Sequence, residues 1–241
     1  MASQLARPVV NPIFSPNNDP ETLERPGTAA LISLLQLREH AEGGYFVETD
    51  RDERQVVNPF HPSYTQTLAT DEVQHQHIFS QVASADTVPL TDFTRSASTS
   101  IYFLLTESRN KGCFVRNRGR TIHTLHKGRA RYVVIHANEV GKGGQEGCWC
   151  MEKARIETFV VGQDIARGER MQWVVEGDKY KASFLLPDEE GESESKEGCL
   201  ITETVTPGWE ITENDFLTSQ RLHELVTPEQ ALQLAWLLGQ R

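Results

Sequence analysis

The chain has 241 residues, is 38% hydrophobic, and carries 34 acidic against 24 basic side chains for a net charge of -10. The length and apolar content suit one all-β domain with a buried core, and the acidic balance argues against nucleic acid or an anionic membrane as a partner. No apolar run reaches the roughly 18 residues a membrane-spanning helix needs. The N-terminal segment MASQLARPVVNPIF lacks a long apolar core and a cleavage site, so no signal peptide is read and a cytoplasmic location is expected. The four cysteines, Cys113, Cys148, Cys150 and Cys199, make no CxxC pair, and reduced structural thiols are the simplest reading.

Residues 1–26 hold Pro8, Pro12, Pro16, Pro20 and Pro26 and read as an arm rather than a core element. Ala29, Leu31, Ile32, Leu34, Leu35 and Leu37 then recur at helical spacing, which predicts a short helix capped by Thr28 and ending near Arg38. In HAEGGYFVET, from His40 to Thr49, the paired glycines permit a sharp bend and a strand follows. Residues 50–92 are weakly periodic and read as a solvated insertion. The His75 and His77 pair could put two imidazoles on one strand face, but its neighbours are polar and loop-like.

The stretch STSIYFLL predicts a strand over Ser100–Leu105, and further strands run through Phe114 and from Ile122 to His126. After Gly128 the spacing predicts strands over Arg131–His136, Ala154–Val161, Arg170–Val175, Tyr180–Leu186 and Leu200–Val205. The acidic run from Asp188 to Glu197 reads as a flexible hairpin loop. From Thr218 the period turns helical again, with Thr227-Pro228-Glu229 as a helix start. Three parts follow: an arm over 1–26, a barrel domain over 27–217, and a helical segment over 218–241.

HAEGGYFVET, STSIYFLL and VTPGWEITENDF occur in the order HPEGGYFRET, STAIYFLL, VxPGFxFxDF, which resembles the signature of a cupin family of unknown function. The stretches GRTIHTLHKGRARYVVIHA and GERMQWVVEGDKYKASFLLP are similar to its fungal branch. The resemblance implies an all-β fold, a cupin (RmlC-like jelly-roll) barrel with a central pocket, flanked by a short N-terminal helix and C-terminal helices. It also implies a homodimer and a likeness to sugar epimerases, with no settled reaction.

Metal-binding cupins carry HxHxxxExxxxxxG and, later, PxGxxH. Aligned on Gly128, the first pattern puts its ligand positions on Val115, Asn117 and Thr121, and the second puts its histidine on Tyr180. Valine cannot coordinate, and Thr and Asn are weak donors for a transition metal. The expectation is therefore no metal and no cofactor.

Strand alternation then selects candidates for metal-free chemistry. If Thr121 faces the pocket, so does His123, either as a general base or as a satisfied core histidine. Tyr180, at the former ligand position, is expected across the barrel as a proton donor or as a core aromatic. Asn117, Thr121 and Val115 would contact substrate, with Trp173 as an apolar wall. Tyr102 reads as barrel wall, Glu42 either fixes the Gly-Gly bend or reaches the pocket mouth, and Arg116 faces elsewhere unless a register shift lets it clamp an anionic group. The expected function is a metal-independent isomerase, epimerase or related lyase acting on a small molecule. The alternatives are a non-catalytic metabolite-binding protein, a metal enzyme with atypical ligands, and a dimeric interaction module.

Overall fold

The computed structural model describes residues 10–14, 23–61, 93–140, 152–213 and 215–239. The His75 and His77 pair, the Cys148-Trp149-Cys150 stretch and the Gly141 turn lie outside the described residues, as does most of the Pro-rich arm.

The first helix, α1 (Pro26–Leu34), begins on a proline at its first turn, where a missing N–H costs nothing. Thr28 is not its cap as expected: it sits inside the first turn, buried, with its hydroxyl donating to the carbonyl of Arg25. The helix ends before Arg38 because Gln36 turns left-handed, at φ 55, and the chain enters a strand pair, β1 (Arg38–Glu39) and β2 (Tyr45–Arg51). Between them His40 to Gly44 make a tight turn. Gly43 (φ 109) and Gly44 (φ 64) are required there, since a Cβ would fall 2.1 Å from the Lys111 carbonyl oxygen at the first and 2.6 Å from that of Leu104 at the second.

The remaining strands are β3 (Gln55–Val57), β4 (Thr94–Ser96), β5 (Thr99–Leu105), β6 (Lys111–Arg116), β7 (Arg120–Lys127), β8 (Ala130–Ile135), β9 (Ile156–Val161), β10 (Gln172–Val175), β11 (Tyr180–Leu185), β12 (Cys199–Thr206) and β13 (Asp215–Phe216). They form a six-stranded sheet in the order β1-β2-β5-β12-β7-β10, a five-stranded sheet in the order β13-β6-β11-β8-β9, and the small pair β3-β4. The strand pairs in these sheets are antiparallel. The fold is all-β, a cupin jelly roll.

The larger sheets face each other over a core that includes Phe103, Leu125, Tyr132, Val134, Trp173 and Ile201. The outer face of the five-stranded sheet is covered too, by α2 (Ser219–Leu225) and α3 (Pro228–Leu234). Phe114, Ile135, Ala182 and Phe184 pack there with Leu222, Leu225 and Leu234. Burial on both faces explains why β8 (ARYVVI) reads as a near-continuous apolar run rather than an alternation. Thr227 caps α3 in a full capping box with Gln230. The run from Asp188 to Glu197 is not a hairpin loop: it links β11 in one sheet to β12 in the other, and is tied down where Glu107 accepts from the Ser195 N–H at 2.7 Å.

No helix among the described residues is long and apolar enough to cross a membrane.

Candidate functional site

A cavity of ≈ 50 Å³ opens between the sheets near the β1–β2 turn. Its apolar wall is Phe46, Ile101, Phe103 and Trp209, and its polar side is His40, Glu42, Asn117 and Glu203. Two segments far apart in sequence hold it. The β1–β2 turn presents His40 and Glu42 and is pinned to β6 by the Cys113 N–H, which donates to the Glu42 carbonyl at 2.7 Å. The segment after β12 presents Trp209, whose N–H donates to the Thr99 hydroxyl at 2.9 Å. Arg95, 2% exposed, fixes that segment: its guanidinium bonds the Gly208 carbonyl and both carboxylate oxygens of Glu213.

Behind Glu203 lies a buried charged cluster. β12 and β7 pair Glu203 with His123, and β10 and β7 pair Trp173 with His123, so all three side chains share the inner face. Lys181 on β11 reaches them from the opposite sheet. Its ammonium hydrogen-bonds the Glu203 carboxylate and donates to His123 Nε2 at 3.0 Å. An ammonium can only donate, so Nε2 accepts and the imidazole proton sits on Nδ1. The ring stacks on Trp173 at 5.0 Å with an 8° interplanar angle and meets Tyr132 edge-on. Burial, seconded by the Lys181 charge, pushes His123 down to about 3. Burial also raises Glu203, but Lys181 and His123 outweigh it, and its carboxyl lies below the usual range. At neutral pH the imidazole is neutral and the Glu203 carboxyl ionised.

The two groups of the turn shift in opposite directions. Burial pushes Glu42 up to about 8; Lys181 opposes this and the Glu203 charge adds to it. Burial pushes His40 down to about 4. The His40 ring packs edge-on against Phe46 at 4.3 Å, and its Nδ1 accepts from the Glu42 N–H at 3.2 Å, which leaves the proton on Nε2. The cavity therefore presents a carboxyl group near its titration point beside a neutral imidazole donor.

Of the residues singled out in the sequence, Glu42 and Asn117 line this cavity, and the Asn117 amide donates to the Thr121 hydroxyl at 3.3 Å. Thr121 and Val115 are buried, each 1% exposed; Val115 pairs with Lys181 across β6 and β11. His123 is fully buried behind Glu203, not at the cavity surface, and Trp173 is enclosed with it.

Three residues lie on outer faces instead. Tyr180 does not face His123: it pairs with Ile135 and packs under the C-terminal helices, and its hydroxyl donates to Asp215 at 3.2 Å. Alternation along β11 gives the inner position to its neighbour, Lys181. Arg116 pairs with Tyr180, lies over its ring and bonds Asp215 through Nε at 2.7 Å, away from the cavity. Tyr102 faces the outer side of the six-stranded sheet with Val47, Leu104 and Leu200.

Sequence reasoning missed Lys181, Glu203, His40, Trp209 and Arg95. Two signals were present: a lysine inside the otherwise buried strand YKASFL, and a glutamate on the alternating face of Ile201 and Val205.

The residues at the cupin ligand positions do not fit a resident metal. Val115, Asn117 and Thr121 offer no strong donor, and the strand that would bring a fourth histidine brings the Lys181 ammonium instead, already bonded to the nearest imidazole and carboxylate. Among the described residues no group of three or more His, Cys, Asp or Glu is placed to hold a metal ion.

A jelly-roll barrel with a polar cavity between its sheets is the architecture of a cupin. Residues 29–217 match the family described as Cupin superfamily (DUF985), and the chain belongs to it. The uncharacterized protein YML079W of Saccharomyces cerevisiae is 36% identical over 208 residues, covering 86% of this chain and 84% of that one. Two solved structures share the fold. A hypothetical protein from Leishmania major is 21% identical, with a TM-score of 0.62 over 88% of this chain and 98% of that one. Protein SO0799 from Shewanella oneidensis is 20% identical, with a TM-score of 0.56 over 90% of this chain and 98% of that one.

Proposed function

We propose that the chain is a metal-independent small-molecule isomerase working by acid–base chemistry, with Glu42 as the proton carrier and His40 as the neutral donor that polarises a substrate carbonyl. The carrying observation is the opposed pair itself: a carboxyl raised to about 8 and an imidazole lowered to about 4, both lining one cavity. Titratable neighbours pushed apart in this way are a pattern of acid–base assignments.

In the step envisaged, the Glu42 carboxylate takes a proton from the carbon beside a carbonyl, and the electron pair moves onto the carbonyl oxygen. His40 Nε2–H stabilises the charge that develops there. The Glu42 carboxylic acid then returns the proton to the former carbonyl carbon, while the hydroxyl on the neighbouring carbon passes its proton to the first oxygen and becomes the new carbonyl. One carrier on one face suits a shift between neighbouring carbons better than inversion, so isomerisation is favoured over the epimerase likeness. His123 has no contact with substrate in this reading. With Glu203 it holds Lys181, whose charge keeps the Glu42 carboxyl from rising further.

The experiment is a screen of small ketoses, aldoses and keto acids in D₂O, reading deuterium uptake beside the carbonyl by NMR. Uptake in the wild type, lost in Glu42→Gln and kept in Tyr180→Phe, supports the proposal. Uptake that survives Glu42→Gln removes Glu42 as carrier. Binding without uptake across the panel turns the reading to a metabolite-binding cupin.

The homodimer is also a proposal. Val174 and Met171 are exposed on and beside edge strand β10 of the six-stranded sheet. Sedimentation velocity tests it, and a monomer at micromolar concentration would refute it.

A further inference from the structure

We propose that Glu203 is a resident counter-anion that makes the cavity selective for neutral ligands and closes it to phosphorylated or carboxylated ones. The inference rests on the cavity identified above as the substrate site and goes on to name the class of compound it takes.

Among the described residues, the cavity is lined by Glu42, Glu48 and Glu203 and by no lysine or arginine. Arg38 lies over the Phe46 ring at 5.5 Å from its centroid, and other arginines nearby are paired with carboxylates. Arg51 pairs with Glu48 at 2.8 Å and with Glu210 at 3.2 Å. Arg95 pairs with Glu213, and Arg116 lies on the outer face with Asp215. Lys181 lies behind the site, and Glu203 stands between it and the cavity: Glu203 lines the space, whereas Lys181 does not. A ligand meets the carboxylate and not the ammonium. An entering anion would have to displace Glu203 from a charge-assisted, buried contact, or sit beside its charge in a poorly screened interior, and both are unfavourable.

Shape points the same way. A space of ≈ 50 Å³ holds only a few water-sized groups, so it takes one end of a small molecule. Phe46, Phe103 and Trp209 offer flat apolar surface to that end, while Glu42, Asn117 and His40 offer hydrogen bonds. The occupant that fits is a small uncharged hydroxy-carbonyl compound, an unphosphorylated sugar fragment by chemistry.

The test is chemical rescue with acetate, which replaces the carboxylate that Glu203→Ala removes. Acetate should leave the wild type unchanged and should bind and stabilise Glu203→Ala, with affinity at least about tenfold above the wild type. Acetamide, the uncharged isostere, should do neither. Lys181→Met/Glu203→Ala should show no acetate response, since the cation is gone. If Glu203→Ala does not fold alone, recovery of its β-sheet circular dichroism by acetate but not acetamide is the same readout. The proposal is overturned if acetate binds the wild-type cavity, read at the Trp209 indole, or if acetate neither stabilises nor refolds Glu203→Ala. Either result leaves the Glu42 proton carrier standing. Conversely, wild-type deuterium uptake that survives Glu42→Gln, beside intact acetate rescue, refutes the carrier and spares the selectivity.

Discussion

Tyr180 and Lys181 are neighbours on one strand, and each joins an ion-paired cluster, yet the clusters differ in kind. On the outer face Arg116, Asp215 and Tyr180 meet with Arg116 and Asp215 about a third exposed, at 34% and 38%. On the inner face Lys181, Glu203 and His123 meet with the ion pair at 6% and 12% exposure and the histidine fully enclosed. The outer pair sits in water that screens it, so its net worth is small. The inner pair has lost that water, so each charge depends on the other. A cation–carboxylate pair beside a ring thus makes a surface fastening on one side of β11 and an obligatory electrostatic unit on the other.

Four substitutions grade this difference. Glu203→Ala strands the Lys181 ammonium in the interior and should cost about 3–5 kcal/mol in acetate-free denaturant unfolding, with Lys181→Met/Glu203→Leu recovering most of the loss. A single variant as stable as the wild type would mean that the pair is not desolvated. Arg95→Leu should cost about 2–3 kcal/mol, since it leaves the Gly208 carbonyl and Glu213 without their charged donor. It should also change the fluorescence of Trp209, which a purely local loss would not.

Glu42→Gln should act on the pH dependence rather than the midpoint. The native carboxyl holds its proton up to about 8, against 4.5 when unfolded, so the native state binds more protons between those values and stability falls as pH rises through that window. The variant should flatten this slope. His40 has the opposite sign: its native pKa near 4, against 6.5, removes stability as pH falls below 6.5, and that slope should survive in Glu42→Gln. Asp215→Asn should cost least, at most about 1 kcal/mol, and less still at high salt.

The sequence and the structure agree most where period and packing coincide. The strands from β5 to β12 and the Thr227 start of α3 were legible because apolar alternation, turn glycines and capping residues are local signals. The site was legible only in part. Counting along a cupin motif placed Tyr180 inward, but β11 reaches the inner face one residue later, at Lys181, and a one-residue difference moves a side chain to the other face. Glu203 and His123 are opposite each other only because β12 pairs with β7 from 80 residues away, and no local pattern encodes that register. His40 stood beside Glu42 in the quoted motif, yet its role depends on the Phe46 contact and on the burial of the turn.

The most direct measurement is the titration of Glu42 by carboxyl ¹³C NMR in the wild type and in Lys181→Met. The account predicts a wild-type midpoint near 8, and a higher one when the Lys181 charge is removed. A wild-type midpoint near the ordinary 4.5 would contradict it, because Glu42 would then be a common surface carboxylate and the cavity would hold no proton carrier.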